Sequence, residues 1–309
     1  MIKKTTTTLL MLCGMAVVLM SYRTCPPPQK PKPLLLRTIV IDPGHGGFDP
    51  GTHGLIAKEK DIALAISLKL GRALQQAFPG VKIVYTRTTD IMPGNKPTVP
   101  DGIRYRAELA NRVNGDLFIC IHCNSNGHPA GSYAVKRLIR YRTTGRGRNR
   151  KTVPVYATTW MKNTTHGTTT YIWKADRNVN KGDAITLREQ LRNGENMGDS
   201  TGEAFDQSSP EATMRAQLYE KKYFANSALF GTLVEKEFAR SGRHSFGVEQ
   251  RQVGIGVLEA TGMPSVLIET GYLTNREEER YLASNKGQTE VAKNILNAFK
   301  RYCTMLAAQ

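Results

Sequence analysis

Apolar positions along this chain change period in a regular way. Thr38 to Ile41 is a short, mostly apolar run cut off by Pro43-Gly44 and a loop with further glycines, the pattern of a buried strand. Ile62, Ala65, Ile66, Leu70, Ala73, Leu74 and Ala77 then recur at helical spacing opposite Lys69, Arg72, Gln75 and Gln76. That predicts an amphipathic helix ending before Pro79-Gly80. Val81 to Tyr85 reads as a strand, Ile103 to Val113 as a helix closed by Asn114-Gly115, and Leu117 to Ile121 as the next strand. Strand and helix alternating at this spacing imply crossover connections, hence an α/β fold with a largely parallel sheet and helices on its faces.

Residues 125–216 break the rhythm. Lys136 to Lys151 holds eight Lys/Arg among sixteen residues and no acid, which suits a solvated loop or hairpin, or a surface that attracts an anionic polymer. Gly167 to Trp173 predicts a strand, and residues 174–210 are polar and glycine-bearing, expected as a mobile insertion with a little helix. Regular patterning returns with a helix over Ala216 to Ala239, strands at Val253 to Leu258 and Ser265 to Ile268, and a capped helix start at Thr274-Asn275 before Glu277-Glu278-Glu279. A last amphipathic helix is marked by Val291, Ile295, Ala298, Phe299 and Tyr302.

The N-terminus changes the picture. A basic Met1-Ile2-Lys3-Lys4 precedes an apolar run from Leu9 to Met20, short for a spanning helix and suited to a secretory segment. Residues 1–22 are therefore expected to be a signal peptide or anchor, and 23–36, proline-rich, a stiff extended linker. The folded domain is expected over 37–309, exported to the periplasm or cell envelope; lipidation at Cys25 is the lesser alternative. The formal charge of +17 implies a polyanionic partner such as nucleic acid, anionic lipid or an acidic wall polymer. Export, with few aromatics interleaved among the cations, speaks against nucleic acid. Cys120 and Cys123 flank His122 as C-x-x-C, but without a second such pair they read as packing residues.

Chemistry gathers at strand ends. His45 follows the first strand, His122 ends the run from Leu117, Glu269 ends the run from Ser265, and Glu59 opens the first helix. In an open parallel sheet, the carboxyl ends of strands share one rim. His45, Glu59 and His122 make a His₂Glu set of the kind that holds one zinc ion with an open fourth position. Glu269 is then left as the carboxylate that moves protons. His53 lacks a preceding strand, and His128, His166 and His244 sit in polar loops. Asp42 and Asp49 are expected as turn-formers or partners of the ligands.

Six motifs stand in order: Asp42-Pro43-Gly44-His45-Gly46-Gly47; Glu59-Lys60-Asp61; Thr86-Arg87 with Asp90; Arg106 with Ala110-Asn111; Asp116 to Asn124 around His122; and Ile268-Glu269-Thr270-Gly271-Tyr272-Leu273-Thr274-Asn275. Together they resemble the zinc-dependent N-acetylmuramoyl-L-alanine amidases, over roughly residues 38–125 and 210–303. The resemblance implies a six-stranded sheet flanked by helices and hydrolysis of the amide joining the lactyl group of N-acetylmuramic acid to L-alanine in peptidoglycan. It also implies zinc ligands at His45, Glu59 and His122 and a catalytic Glu269. Arg106 and Asn124, inside the matched motifs, are the expected substrate contacts. Where the family usually has an Asp-Arg pair before Gly247-Val248, this chain has Ser245-Phe246. In relatives from the division machinery the middle region can hold a helix whose glutamate occupies the zinc until a partner protein removes it; Glu195 is the candidate by position. The competing readings are a zinc amidohydrolase or peptidase acting on muropeptides, and a non-catalytic envelope protein that binds a polyanion.

Overall fold

The computed structural model describes residues 36–174, 210–251 and 253–308, together with 182, 184 and 185. The expected signal segment and Cys25, the linker except Leu36, most of the stretch from 175 to 209, and Glu195 lie outside the described residues.

The described elements run β1 (Thr38–Pro43), α1 (Glu59–Ala77), β2 (Lys82–Tyr85), α2 (Val99–Arg112), β3 (Leu117–Asn124), β4 (Ser132–Thr144), β5 (Lys151–Lys162) and β6 (Thr168–Trp173). They continue with α3 (Pro210–Arg240), β7 (Ser245–Arg251), α4 (Gly256–Glu259), β8 (Ser265–Tyr272), α5 (Arg276–Ala283) and α6 (Asn285–Leu306). Six strands form one sheet in the order β2-β1-β3-β8-β6-β7. The first four are parallel, while β6 runs antiparallel to β8 and pairs in parallel with β7. The α/β expectation holds, with a reversed pair of strands at one edge. β4 and β5 form a separate antiparallel ribbon.

Strand alternation divides the core. Ile39, Ile41, Leu117, Ile119, Val266 and Ile268 face a large layer with Ile62, Ile66 and Leu70 of α1, Phe230 and Val234 of α3, and Ile295 and Phe299 of α6. Val40, Phe118, Cys120 and Leu267 point the other way, into a smaller layer with Ala110, Leu258 and Met263. Both faces are covered, so these strands read as continuous apolar runs rather than alternating ones. Leu36 is also buried in the large layer, so packing begins one residue before the expected boundary.

Two expectations are corrected. α2 begins at Val99, not Ile103, because Thr98 caps it by accepting from Asp101 N and Pro100 occupies its first turn, where proline is tolerated. Val253 to Leu258 is not a strand: Val257 and Leu258 reach the small core from the single turn of α4. The edge strand is instead β7, whose side chains are half-buried or exposed, leaving little apolar signature to read.

Candidate metal centre

Pro43 and Gly44 end β1 inside the sheet's rim, and His45 leaves it with φ of 57°, a left-handed conformation uncommon for a residue with a Cβ. Two buried arginines hold that turn. Arg106 donates to the carbonyls of Pro43 (2.8 Å) and His45 (2.6 Å) and pairs with buried Asp42. Arg87 donates to Pro43 O (3.1 Å), Gly44 O (2.7 Å) and Lys60 O (2.7 Å), tying the loop to the start of α1. Close approach decides the glycines here. A Cβ on Gly44 would lie 2.5 Å from the His122 ring, and one on Gly51 would lie 2.6 Å from both Glu59 Oε2 and the His45 ring.

His45, Glu59 and His122 converge, their ligating atoms lying within 4.8 Å of one another. Glu59 Oε1 is 3.1 Å from His45 Nε2 and 2.8 Å from His122 Nδ1, and it accepts from Cys123 N at 3.0 Å. Its other oxygen accepts from Thr52 N at 2.8 Å. Asp49 Oδ2 sits 2.8 Å from His45 Nδ1, so this carboxylate orients the ring and turns Nε2 toward Glu59. Metal–ligand bonds of roughly 2.0–2.1 Å at tetrahedral angles place donors about 3.3 Å apart, near the two separations that Glu59 makes with the histidines. The donor set therefore fits a small divalent cation with a position left open. Among the described residues this is the cluster of His, Cys, Asp or Glu side chains that does so.

The electrostatics are those of packed opposite charges. Burial opposes ionisation of Glu59, but hydrogen bonds from His122 and His45, and their charges, outweigh it and hold the carboxyl far below its usual range. Burial acts to lower the pKa of His45, and the bonds and charges of Glu59 and Asp49 overcome it, raising it to about 9. Glu269 is the opposite case. It stands beside His122 in the β3–β8 register and on the same sheet face. Burial, and then the charge of Glu59, push its pKa up to about 8. Its Oε2 is buried without a hydrogen-bond partner.

The structure thus brings together His45, Glu59 and His122, with Glu269 on the neighbouring strand. Arg106 is reassigned: it is buried, and its donors serve Asp42 and the loop carbonyls, so it positions His45 rather than a ligand. Asn124 lies two residues beyond His122, where its side-chain oxygen accepts from Ser125 N at 2.8 Å. Asp49 partners the His45 ring, whereas Asp42 is a buried anchor for Thr86, Arg106 and Cys120. Cys120, Cys123 and Cys303 are free thiols, and the first two are buried. His53, His128, His166 and His244 are exposed and outside the cluster. Ser245, at the position of the family's Asp-Arg pair, donates to the buried Glu235 at 2.5 Å.

Two acids read as helix-start charges do more. Glu278 accepts from Tyr272 N (2.7 Å) and Gly167 N (2.9 Å) and pairs with Arg243 at 2.6 Å. Glu279 accepts from Ile56 N (2.6 Å) and Ala57 N (3.0 Å), clamping the loop ahead of Glu59. Nothing in the spacing of Glu277-Glu278-Glu279 marks partners some 220 residues away.

Residues 39–301 match the model of the N-acetylmuramoyl-L-alanine amidase family. The chain is 29% identical over 270 residues to N-acetylmuramoyl-L-alanine amidase AmiC of Escherichia coli O6:H1, covering 85% of this chain and 52% of that relative. It spans about half the length of the AmiC relatives it matches. The fold is similar to that of an N-acetylmuramoyl-L-alanine amidase from Clostridium difficile 630, with TM-score 0.53, 21% identity, and coverage of 87% of this chain and 97% of the other. It is also similar to the CwlD amidase of Clostridioides difficile, solved in complex with the GerS lipoprotein, with TM-score 0.53, 20% identity and coverage of 87% and 99%. With a family match over most of the chain and the same six-stranded architecture, this chain belongs to the N-acetylmuramoyl-L-alanine amidase family.

Proposed function

We propose that this chain is a zinc-dependent hydrolase that cleaves the amide between the lactyl group of N-acetylmuramic acid and L-alanine in peptidoglycan. One observation carries the reading: a His₂Glu donor set closes at the sheet rim beside a glutamate whose buried oxygen has no partner. His45 Nε2, His122 Nδ1 and Glu59 Oε1 would hold the ion. A zinc ion there would polarise the scissile carbonyl and acidify the attacking water. Glu269 takes that water's proton on its carboxylate and delivers it to the departing amine nitrogen, leaving the carboxylate ready for another turnover. Asp49 keeps the His45 ring aligned, while Arg87 and Arg106 hold the loop. The cation's positive charge would draw the Glu269 pKa down toward the range a general base needs. Zinc as cofactor, peptidoglycan as substrate and location in the cell envelope form one reading, and the basic surface suits an anionic wall. CwlD was solved with a lipoprotein, and a partner protein belongs to the same reading here.

The test is digestion of purified peptidoglycan with wild type, Glu269→Ala and a chelated sample, the products read by mass. Intact stem peptides with a free L-alanine amine are expected from wild type alone. Zinc bound with no product from any sample, or cleavage within the stem peptide, would overturn it.

A further inference from the structure

The β4–β5 ribbon presents what the main sheet conceals. Leu138 pairs with Tyr156, Tyr141 with Pro154 and Ala134 with Trp160, with a register shift between Leu138 and Arg140. Side chains two apart on a strand share a face, so Leu138, Tyr141, Tyr156 and Trp160 stand on one face. The rings are exposed: Trp160 71%, Tyr141 64% and Tyr156 53%. Lys136 and Lys162 flank them on that same face, while Arg137, Arg140 and Arg142 rise from the other. Residues 132–162 hold nine Lys/Arg and no Asp or Glu. The ribbon is pinned at its base, where Gly131 N donates to Thr274 O at 2.9 Å and Asn163 Nδ2 to Asn126 Oδ1 at 2.8 Å. It therefore rises from the end of the sheet where β3 and β8 finish.

An exposed apolar face of this kind marks an interaction surface, and its charge selects the partner. A neutral glycan would stack on the rings but leave nine cations unused and Leu138 and Ile139 in water. It also calls for planar polar groups to pair with adjacent hydroxyls, and the ribbon's one amide or carboxylate side chain is Asn149, at the turn. A single-stranded nucleic acid calls for rings and phosphate-binding cations along one groove, whereas most cations here lie on the opposite face or at the tip. An anionic bilayer surface meets every feature: tryptophan and tyrosine settle at the headgroup level, exposed aliphatics enter beneath it, and long cationic side chains reach the phosphates from either face. Among the described residues no helix is long and apolar enough to cross a membrane. We propose that the β4–β5 ribbon is a membrane-docking element that lays its Leu138–Tyr141–Tyr156–Trp160 face into the headgroup region of an anionic lipid bilayer.

The chain provides its own reporter. Of its two tryptophans, Trp173 is buried and Trp160 is exposed, so Trp173→Phe leaves a single probe on the ribbon. The full chain carrying this change is mixed with vesicles of phosphatidylcholine alone or with phosphatidylglycerol. The expected result with anionic vesicles is a blue-shifted Trp160 emission, protection from iodide, and quenching by lipids brominated on their acyl chains. Phosphatidylcholine alone gives none of these, and added salt reverses the shift. Adding Tyr141→Ser and Tyr156→Ser lowers vesicle affinity roughly tenfold or more. Vesicles that bind the chain while Trp160 stays open to iodide would overturn the proposal, placing attachment elsewhere, as would no binding at all. A Trp160 shift with peptidoglycan fragments but not with vesicles would overturn it in favour of the wall glycan.

Discussion

The two β structures of this chain invert one another. In β1, β3 and β8 the residues leading up to the rim are buried on both sides, and polar chemistry emerges only where each strand ends. In the β4–β5 ribbon, paired just as regularly, most side chains are exposed along its whole length. Burial on both faces fixes a strand end to within the tolerance of close packing, so His122 and Glu269 are held where β3 and β8 finish. The ribbon can present large side chains to a yielding surface, but among the described residues it is not buried on both faces as those strands are, and such a surface does not hold an ion's geometry. A rigid centre and an adaptable contact surface thus come from the same secondary structure, distinguished by what lies against it.

The contrast breaks most sharply if the sheet proves as tolerant as the ribbon. Phe118 is fully buried in the small core layer, on the same face of β3 as His122 and four residues before it. Phe118→Ala should cost about 3–5 kcal/mol, the range for truncating a buried aromatic, and urea unfolding would register it. A cost under about 1 kcal/mol would mean that this layer collapses freely and does not hold the site.

A smaller effect tests whether the centre's own polar partners are equally fixed. Asp49→Ala removes the acceptor from His45 Nδ1 and should weaken zinc binding about 10–100-fold, as loss of such ligand partners does, read by competition with a chelator. Retained affinity would show that the loop alone orients the ring.

The titrations supply a further check with a definite sign. His45, with its pKa raised from 6.5 to about 9, keeps a proton in the folded metal-free protein that the unfolded chain has lost. Glu269, raised from 4.5 to about 8, does the same over its own window. The folded state binds more protons in both cases, so stability of the metal-free protein falls as pH rises through 4.5 to about 8 and 6.5 to about 9. Zinc needs His45 neutral, so the rise in thermal midpoint on adding zinc should grow across that interval. A zinc effect that shrinks with pH would contradict the assignment of His45 as a ligand.

What could be read in advance follows the same division. The meeting of His45, His122 and Glu269 was legible because apolar runs that stop abruptly place polar residues at a common rim, and that of Glu59 because it opens the helix returning from that rim. The ribbon was only half legible: Lys136 to Lys151 announced charge, but strand pairing without a core leaves no apolar period to detect, and the aromatic face appears only once the register is known. Arg106 was misread for a related reason. A cation within a functional motif looks like a substrate contact until its burial against Asp42 and two carbonyls is seen. Glu278 and Glu279 likewise bond to backbone amides far along the chain, and backbone groups have no sequence signature. β7, an edge strand without apolar alternation, left no pattern at all.

The smallest expected effect is on the ribbon itself. Tyr156 faces Leu138 across the strands and is more than half exposed, so Tyr156→Thr removes one cross-strand contact worth about 0.2–1 kcal/mol and replaces it with another good strand former. Because the ribbon pairs apart from the six-stranded sheet, little of that loss should reach the global transition, and urea unfolding should shift by no more than about 0.5 kcal/mol. Zinc affinity should not change, since no ligand or ligand partner touches this residue. A larger cost would mean that Tyr156 packs against another part of the chain, and the ribbon would then be a second core rather than an open face. An unchanged transition together with weaker vesicle binding would instead separate what folds the molecule from what it touches.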